Sequence, residues 1–528
     1  MNKRYILAII LPLVAFLGLS AQENSVGYYV ALNSIAAKGD YAPFWLTANR
    51  QGLSSVENAN GYTRMGLAAQ GTLLGNKVKY ECAADVLAGY DRYDKISLQQ
   101  LYARLEWRKM ALSVGMEERC GETARKRINV SDSLQRNSLP LFYASPFEML
   151  GSGGLVYSGN SRPVPQVRFE VPEYIPVYGT GGWLSARGHI AYGLFLDHNF
   201  QEDFSSGNTY THYTKNVLYH SKAMFIKVGK PEKFPLTFEG GLEMYSQFGG
   251  DTYRHGKGKV VSMPKGVTEY FKAFIPLGGS SDTPDTEQSN ISGNQVGNWN
   301  VALTLHTKPA DVTFYMHHLF EDFSQLFFFE YQADRFGNRN IIYYPWRDML
   351  LGVNVRNKSD ILPFVSNVTY EYMSTYDQSG AGYNDPGPFY TEQMDGQDNY
   401  YNHAIYAGWH NFGMGMGNPL VFSPVYNRNG NLGFAGNRLI AHHAAVNGAF
   451  GRDGAIVYRF MYTYSENWGT YYNPFDKKKY STSLVLDAGY APRASSWAAT
   501  VSVACDKSDW LGDNVGVMFS FIKTGIFK

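Results

Sequence analysis

The side chains best suited to chemistry in this chain are aromatic rings set beside amides and charges in long polar stretches. The stretch Asp322–Pro345 carries Tyr331, Arg335, Tyr343 and Tyr344, with Trp346 directly after it, and Ser465–Tyr480 carries Trp468, Tyr471 and Tyr472. Flat rings next to hydrogen-bonding groups suit a pyranose, whose C–H faces stack on aromatics while its hydroxyls require polar partners. A third stretch, Gly249–Gly297, groups Arg254, His255, Lys257 and Lys259 ahead of the Ser/Thr/Asp/Gly-rich run Gly278–Gly297. It reads as a mobile surface loop whose basic cluster fits an acidic polysaccharide. Tyr343, Tyr344, Trp346, Trp468, Tyr472 and Arg254 are the candidate sugar contacts. The plainer alternative for each is an interface-belt ring or a solvated loop cation.

Catalytic and metal-binding sets are missing from the pattern. There is no HExxH, no GxSxG and no phosphate-cradling glycine loop, and the alternating glycines of Gly413–Gly417 lack the GxGxxG spacing. The doublets His317/His318 and His442/His443 fall in strand patterns, where adjacent side chains point to opposite faces and cannot chelate one metal together. Glu321 and Asp322 are adjacent, without the separation that glycoside hydrolysis requires, and read as solvated loop carboxylates. The cysteines Cys82, Cys120 and Cys505 form no CxxC pair. Barrel closure could bring Cys82 near Cys505, but free buried thiols are the expectation. The expectation is a protein without enzymatic activity, cofactor or metal.

The elements that must position these residues are short strands. Trp497, Ala499, Val501, Val503 and Cys505 alternate with smaller residues, as do Val515, Val517, Phe519 and Phe521. The 54 glycines and 40 tyrosines fit strands that bend and carry interface rings. Mean hydropathy of −0.29 does not discriminate, because only alternate residues of a barrel strand meet lipid. Ahead of the strands, Lys3, Arg4, the apolar run Ile6–Leu19 and the small-residue site at Ala21 read as a secretory signal over residues 1–21, leaving 22–528 as one domain. Removing Lys3 and Arg4 from 47 basic residues leaves 45 against 46 acids, so no net field recruits nucleic acid.

Connections between strands also alternate. Gly75-Asn76, Arg108–Met110, Lys230–Pro235, Lys308–Asp311, Lys358–Pro363, Gly451–Gly454 and Ala491–Ser495 are tight, and long polar stretches lie between them. Short turns on one side and long loops on the other describe an all-β, transmembrane antiparallel outer-membrane barrel. About nineteen candidate strands are found, Tyr400–Met414 among them, whereas a barrel with both ends at one rim needs an even number. The alternation breaks only where Asp377–Asn399 and Gly415–Asn437 flank Tyr400–Met414. Either a strand is hidden there or one of those stretches is periplasmic.

Several blocks resemble a known family. Pro43-Phe-Trp-Leu-Thr-Ala-Asn-Arg-Gln-Gly52, Tyr157-Ser-Gly-Asn-Ser-Arg-Pro-Val-Pro-Gln-Val167, Asn402-His403, Gly408-Trp409 and Gly417-Asn-Pro-Leu420 are similar in order and spacing to the Wzi-type capsule-assembly family in its Bacteroides-like form. Glu321-Asp322, Ser324 and Asp348 match a weaker block, with Phe323 where glycine is expected. The resemblance implies an 18-stranded, largely plugged outer-membrane barrel with some periplasmic helix. It further implies a lectin for capsular or exopolysaccharide, with outer-membrane lipid, the barrel-assembly machinery and polysaccharide export machinery as partners. Arg162 is then a candidate hydrogen-bonding group in the lumen. The alternatives are a diffusion porin and an outer-membrane enzyme acting on glycan or lipid.

Overall fold

Alternation of bulk and small or polar residues places one face of each strand against lipid and the other toward an interior. In the strand Trp497–Ser508, Trp497, Val501 and Val503 are exposed, while Ala498, Thr500, Ser502, Ala504 and Asp506 are buried. In Asn514–Phe527, Val515, Val517 and Phe519 are exposed, and Met518, Ser520 and Ile522 are buried. A sheet with an apolar outside has no place in water and no free edge in a bilayer, so it must close.

The computed structural model describes residues 25–121, 150–275, 293–321, 329–333, 339–343, 348–359, 361–378, 398–451, 455–492 and 495–527. One 18-stranded antiparallel sheet runs around the wall in chain order. It closes where Ser25–Lys38 pairs with Asn514–Phe527, in register from Val26↔Phe527 to Lys38↔Val515. No described helix is long and apolar enough to cross a membrane.

Every tight turn named from the sequence lies at one rim, the rim where both ends of the sheet emerge. Leu74, Gly75 and Asn76 have φ of 53°, 63° and 66°, the left-handed geometry that lets so tight a hairpin follow the strand twist. The other rim carries the long connections 39–58, 117–165, 195–217, 249–293, 322–348 and 375–438, and three short ones.

The nineteenth candidate strand is the error in the count. Tyr400–Met414 is not in the wall: Asn367–Ser374 pairs directly with Leu439–Phe450, so residues 375–438 are one connection at the long-loop rim. Neither a hidden strand nor a periplasmic stretch is needed. Gly249–Gly297 is likewise not a featureless loop. It holds the strands Asp251–Arg254 and Gly258–Ser262 and the helix Val267–Phe274, and its end enters the wall strand Asn294–His306. The described helices, Phe44–Thr47, Phe200–Phe204 and Val267–Phe274, all sit in long-loop connections. None lies at the short-turn rim, where helix was expected. The thiols also differ from expectation. Only Cys120 is buried, and Cys505 faces out. Three wall strands separate Cys505 from Cys82, so closure does not bring them together.

Inside the wall, the main apolar cluster joins inward wall residues such as Tyr219, Tyr245 and Leu319 to residues from outside the strands: Phe44, Trp45 and Leu46, Leu155, Val156 and Tyr157, and Tyr400, Tyr401, Trp409 and Phe422. Long connections therefore turn back into the barrel and fill it.

Candidate functional site

The plug joins three segments that are far apart in sequence. In the first, Phe44–Thr47 forms a single buried helical turn whose Phe44 N–H donates to Asp506 Oδ2 of the wall at 2.9 Å, while Trp45 Nε1 donates to Thr463 Oγ1 at 3.1 Å. Arg50 follows and meets Asp487 at 3.6 Å, a carboxylate that also binds Arg459 at 2.7 Å. In the second segment, the Ser152 N–H donates to Glu371 at 2.7 Å, and His443 Nε2 donates to the Leu150 carbonyl at 2.7 Å. In the third, the Tyr401 N–H donates to Glu321 at 2.6 Å and the Tyr400 hydroxyl to Asp348 at 2.9 Å. Burying a carboxylate is costly unless it is hydrogen-bonded, so each of these wall acids is compensated by the segment it holds. Glu321 is thus buried rather than a solvated loop group, while Asp322 lies outside the described residues.

The segments then bond to one another. The Gln51 N–H donates to the Gly159 carbonyl at 2.6 Å, and the Asn49 N–H to Asn160 Oδ1 at 3.0 Å. Asn160 Nδ2 donates to the Gly415 carbonyl at 2.9 Å, the Ser158 hydroxyl to Gly417 at 2.7 Å, and Trp409 Nε1 to Val156 at 2.7 Å. Asn418 Nδ2 reaches Gly153 at 2.7 Å, and the Tyr401 hydroxyl donates to the Leu155 carbonyl. The blocks at 43–52, 157–167, 408–409 and 417–420 therefore lie in mutually complementary segments of one plug. Arg162 places its guanidinium 4.0 Å from the Phe412 ring centroid and 2.8 Å from Asp94. Burial alone would raise the Asp94 carboxyl; the bonds from His198 and Arg162 outweigh it and hold the group below its usual range.

Beside the first plug segment, the inner wall carries compensated charge, with Gln99 bonded to both Gln51 and Glu118. Arg64 lies 2.6 Å from Asp85 and 3.1 Å from Glu118, and Glu170 pairs with Arg168 at 2.6 Å and with Arg104. The histidine doublets sit as strand geometry requires: His442 binds the Tyr370 hydroxyl, whereas His443 points into the lumen. Both His317 and His318 are buried. Among the described residues no group of three His, Cys, Asp or Glu side chains could hold a metal.

The candidate sugar contacts divide between two places on the long-loop rim. Trp468 packs edge-on against Tyr376, with centroids 4.6 Å apart and Lys478 5.6 Å from the indole. Arg438 lies 4.6 Å from the Tyr376 ring and 4.9 Å from Tyr471, and Tyr472 is exposed alongside in sequence. Inward neighbours Thr463, Ser465 and Asn467 are buried, so Trp468 is on the outer side of its strand at the rim, as a belt ring would be.

Arg254 lies elsewhere on the rim, in the connection after the wall strand Leu236–Phe248 and on the face of its own strand opposite Tyr253. It ends the middle strand of a three-stranded sheet in which Tyr213 pairs with Tyr253 and their rings stack at 5.5 Å. Lys215 lies 5.6 Å from both rings, and His255 lies 4.9 Å from Tyr213. The backbone of Tyr343 is in a two-stranded ribbon, whereas Tyr344 and Trp346 lie outside the described residues. Sequence reasoning missed Tyr376, Arg438, Tyr213 and Tyr253. The pairings Ser374↔Ile440 and Tyr213↔Tyr253, each between segments distant in sequence, are what bring them to these clusters.

No family model and no curated relative matches the chain. Among solved structures, it is similar to Wzi of Escherichia coli, described as a carbohydrate-binding β-barrel involved in group 1 capsule assembly, at 12% identity and a TM-score of 0.49 over 98% of this chain and 88% of that one. It is also similar to OccK5 (OpdH) of Pseudomonas aeruginosa, at 8% identity and a TM-score of 0.45 over 96% and 99% of the two chains. OccAB4 of Acinetobacter baumannii gives 8% identity and a TM-score of 0.44 over the same shares.

Proposed function

We propose that this chain, after removal of residues 1–21, is a nonenzymatic outer-membrane barrel that binds capsular polysaccharide at its long-loop rim and helps hold the capsule at the cell surface. The observation that carries the reading is the plug. Three inward-folded segments, hydrogen-bonded to one another and to wall carboxylates, occupy the lumen that a diffusion porin keeps open. The same segments carry the sequence resemblance to the capsule-assembly family. With the lumen filled, ligand contact falls to the rim, where Tyr376 joins Trp468 to Arg438 and Arg438 to Tyr471, with Tyr472 exposed next in sequence and Arg254 a separate candidate. Outer-membrane lipid, the barrel-assembly machinery and polysaccharide export machinery are the partners that go with this reading.

The test combines a capsule stain on a deletion strain, an assay of polysaccharide shed into the medium, and planar-bilayer recording of the purified barrel. Loss of stain with increased shedding, and no conductance above background, is the expected result. Steady conductance with normal capsule retention would replace the lectin reading with a porin.

A further inference from the structure

We infer that the helix Val267–Phe274 is a membrane-surface helix that lies beside the barrel with its apolar face in the lipid of the surrounding leaflet. It begins after Gly266, carries Glu269 in its first turn and Lys272 in its last, and so has the charge order that favours a helix dipole. Its attachment to the outside of the wall is explicit. Lys222 donates to the carbonyls of Ala273 and Phe274 at 3.0 and 2.6 Å, satisfying the free C-terminal end. The Tyr192 hydroxyl donates to the Tyr270 carbonyl at 2.9 Å, and the Tyr270 ring meets Phe248 edge-on at 5.2 Å.

These wall contacts are on the lipid-facing side. In Leu218–Val228, Tyr219, Ser221 and Ala223 alternate inward, so His220, Lys222, Met224 and Ile226 point outward. Met224 and Ile226 are exposed, as are Ile190 and Phe238 on neighbouring strands, whereas His220, Met244 and Phe248 on the same outer surface are buried where the helix lies. At about 3.3 Å per residue, the helix end held by Lys222 is roughly 7 Å along the strand from lipid-facing Met224. The helix therefore continues the apolar belt.

Its amphipathicity is reversed from what water would select. Glu269 and Ala273 are turned to the protein, 7% and 1% exposed, with Glu269 paired to Lys272 at 2.9 Å. Val267, Phe271 and Ile275 point away, 75%, 66% and 54% exposed, with Phe274 beside them. Spacings of four, three and one residues put these four on a single stripe. An eight-residue helix presenting that stripe to water would lose the benefit of its apolar area; laid at the lipid interface it buries the stripe in the manner of amphipathic surface helices. Continuity with the exposed wall residues selects lipid over a protein partner as the occupant.

The test is nitroxide labelling of Phe271→Cys in the full barrel, with Cys82→Ser and Cys505→Ser and the buried Cys120 retained, reconstituted into phosphatidylethanolamine–phosphatidylglycerol vesicles. Val503→Cys on the wall is the lipid reference and Lys257→Cys in the exposed turn is the water reference. Phe271 is exposed, so the label does not disturb packing, and heat-modifiable migration verifies each barrel. The expected result is relaxation of the label at 271 by oxygen with loss of relaxation by a water-soluble nickel complex, as at 503. Nickel-dominated relaxation, as at 257, would overturn the proposal, and so would protection from both reagents, which signals a covering protein surface.

Discussion

Replacing Trp409 with Ala should open the barrel without unfolding it. The indole is fully buried in the plug, Nε1 donates to the Val156 carbonyl at 2.7 Å, and the ring lies 6.2 Å from Tyr245 of the wall. Truncating a buried Trp costs about 3–5 kcal/mol, and the orphaned carbonyl adds about 1–3 kcal/mol that overlaps with it. Taking about 4 kcal/mol as the net loss, at about 1.4 kcal/mol per tenfold, the plug's closed arrangement loses roughly three powers of ten against opened ones. No wall ladder bond involves this side chain, so heat-modifiable migration should persist. Planar-bilayer recording should then show intermittent conductance where the parent is silent, and hydrogen exchange should rise in residues 150–164 and 400–434. The control is Phe519→Ala, which removes a lipid-facing ring and should lower barrel stability without opening it. Silence in Trp409→Ala, with exchange in those segments unchanged, would refute the claim that this residue holds the lumen shut.

Gly417→Ala should weaken the same plug, since a methyl there meets the Tyr401 hydroxyl and the Leu155 carbonyl; about 1–3 kcal/mol of overpacking should appear as faster exchange around residue 155. Asp251 gives the pH prediction: bonds from Lys265, Ser262 and Lys259 hold its carboxyl well below the usual range. A depressed carboxylate stabilises above its unfolded value of about 3.9 and loses that contribution as pH falls through its folded value. Exchange-corrected protection of Thr252 and Tyr253 should therefore hold at neutral pH and decline below about pH 4, and Asp251→Asn should abolish the decline. If Trp468 and Arg438 contact sugar, Trp468→Ala with Arg438→Ala should lower polysaccharide binding by about 1–3 kcal/mol at normal barrel yield. Reduced membrane yield with unchanged binding by the surviving barrels would assign both to the interface belt.

The wall was legible because its rule is local. Alternation in Val515, Val517 and Phe519 needs no knowledge of a partner strand, and the tight turns named from the sequence all join strands at one rim. Tyr400–Met414 defeated the same rule for a physical reason. Most of its rings are buried, Tyr400, Tyr401, Tyr406 and Trp409 among them, and only His410–Asn411, paired with Met414–Gly415, forms strand there. A segment bonded in three directions shows no one-sided period. Glu321 failed similarly: nothing beside it in sequence announces that its partner is the Tyr401 backbone 80 residues later. Aromatic loop residues were found by type, but the grouping of Tyr376 with Trp468 depends on a pairing across residues 375–438 that no sequence pattern records.

The location of the family-like blocks changes what the resemblance can mean for binding. Ser158, Asn160 and Asn418 present their polar atoms to carbonyls and amides of neighbouring plug segments, and Trp409 uses its one donor there. Donors engaged in this way are not available to a sugar hydroxyl without breaking the closure they make. Under the proposed function, specificity for a polysaccharide would reside in rim residues that the blocks do not include. Trp468 meets that condition, its ring held by Tyr376 and Lys478, whereas Tyr213 is buried against Ala407 and Leu432 of the third inward connection.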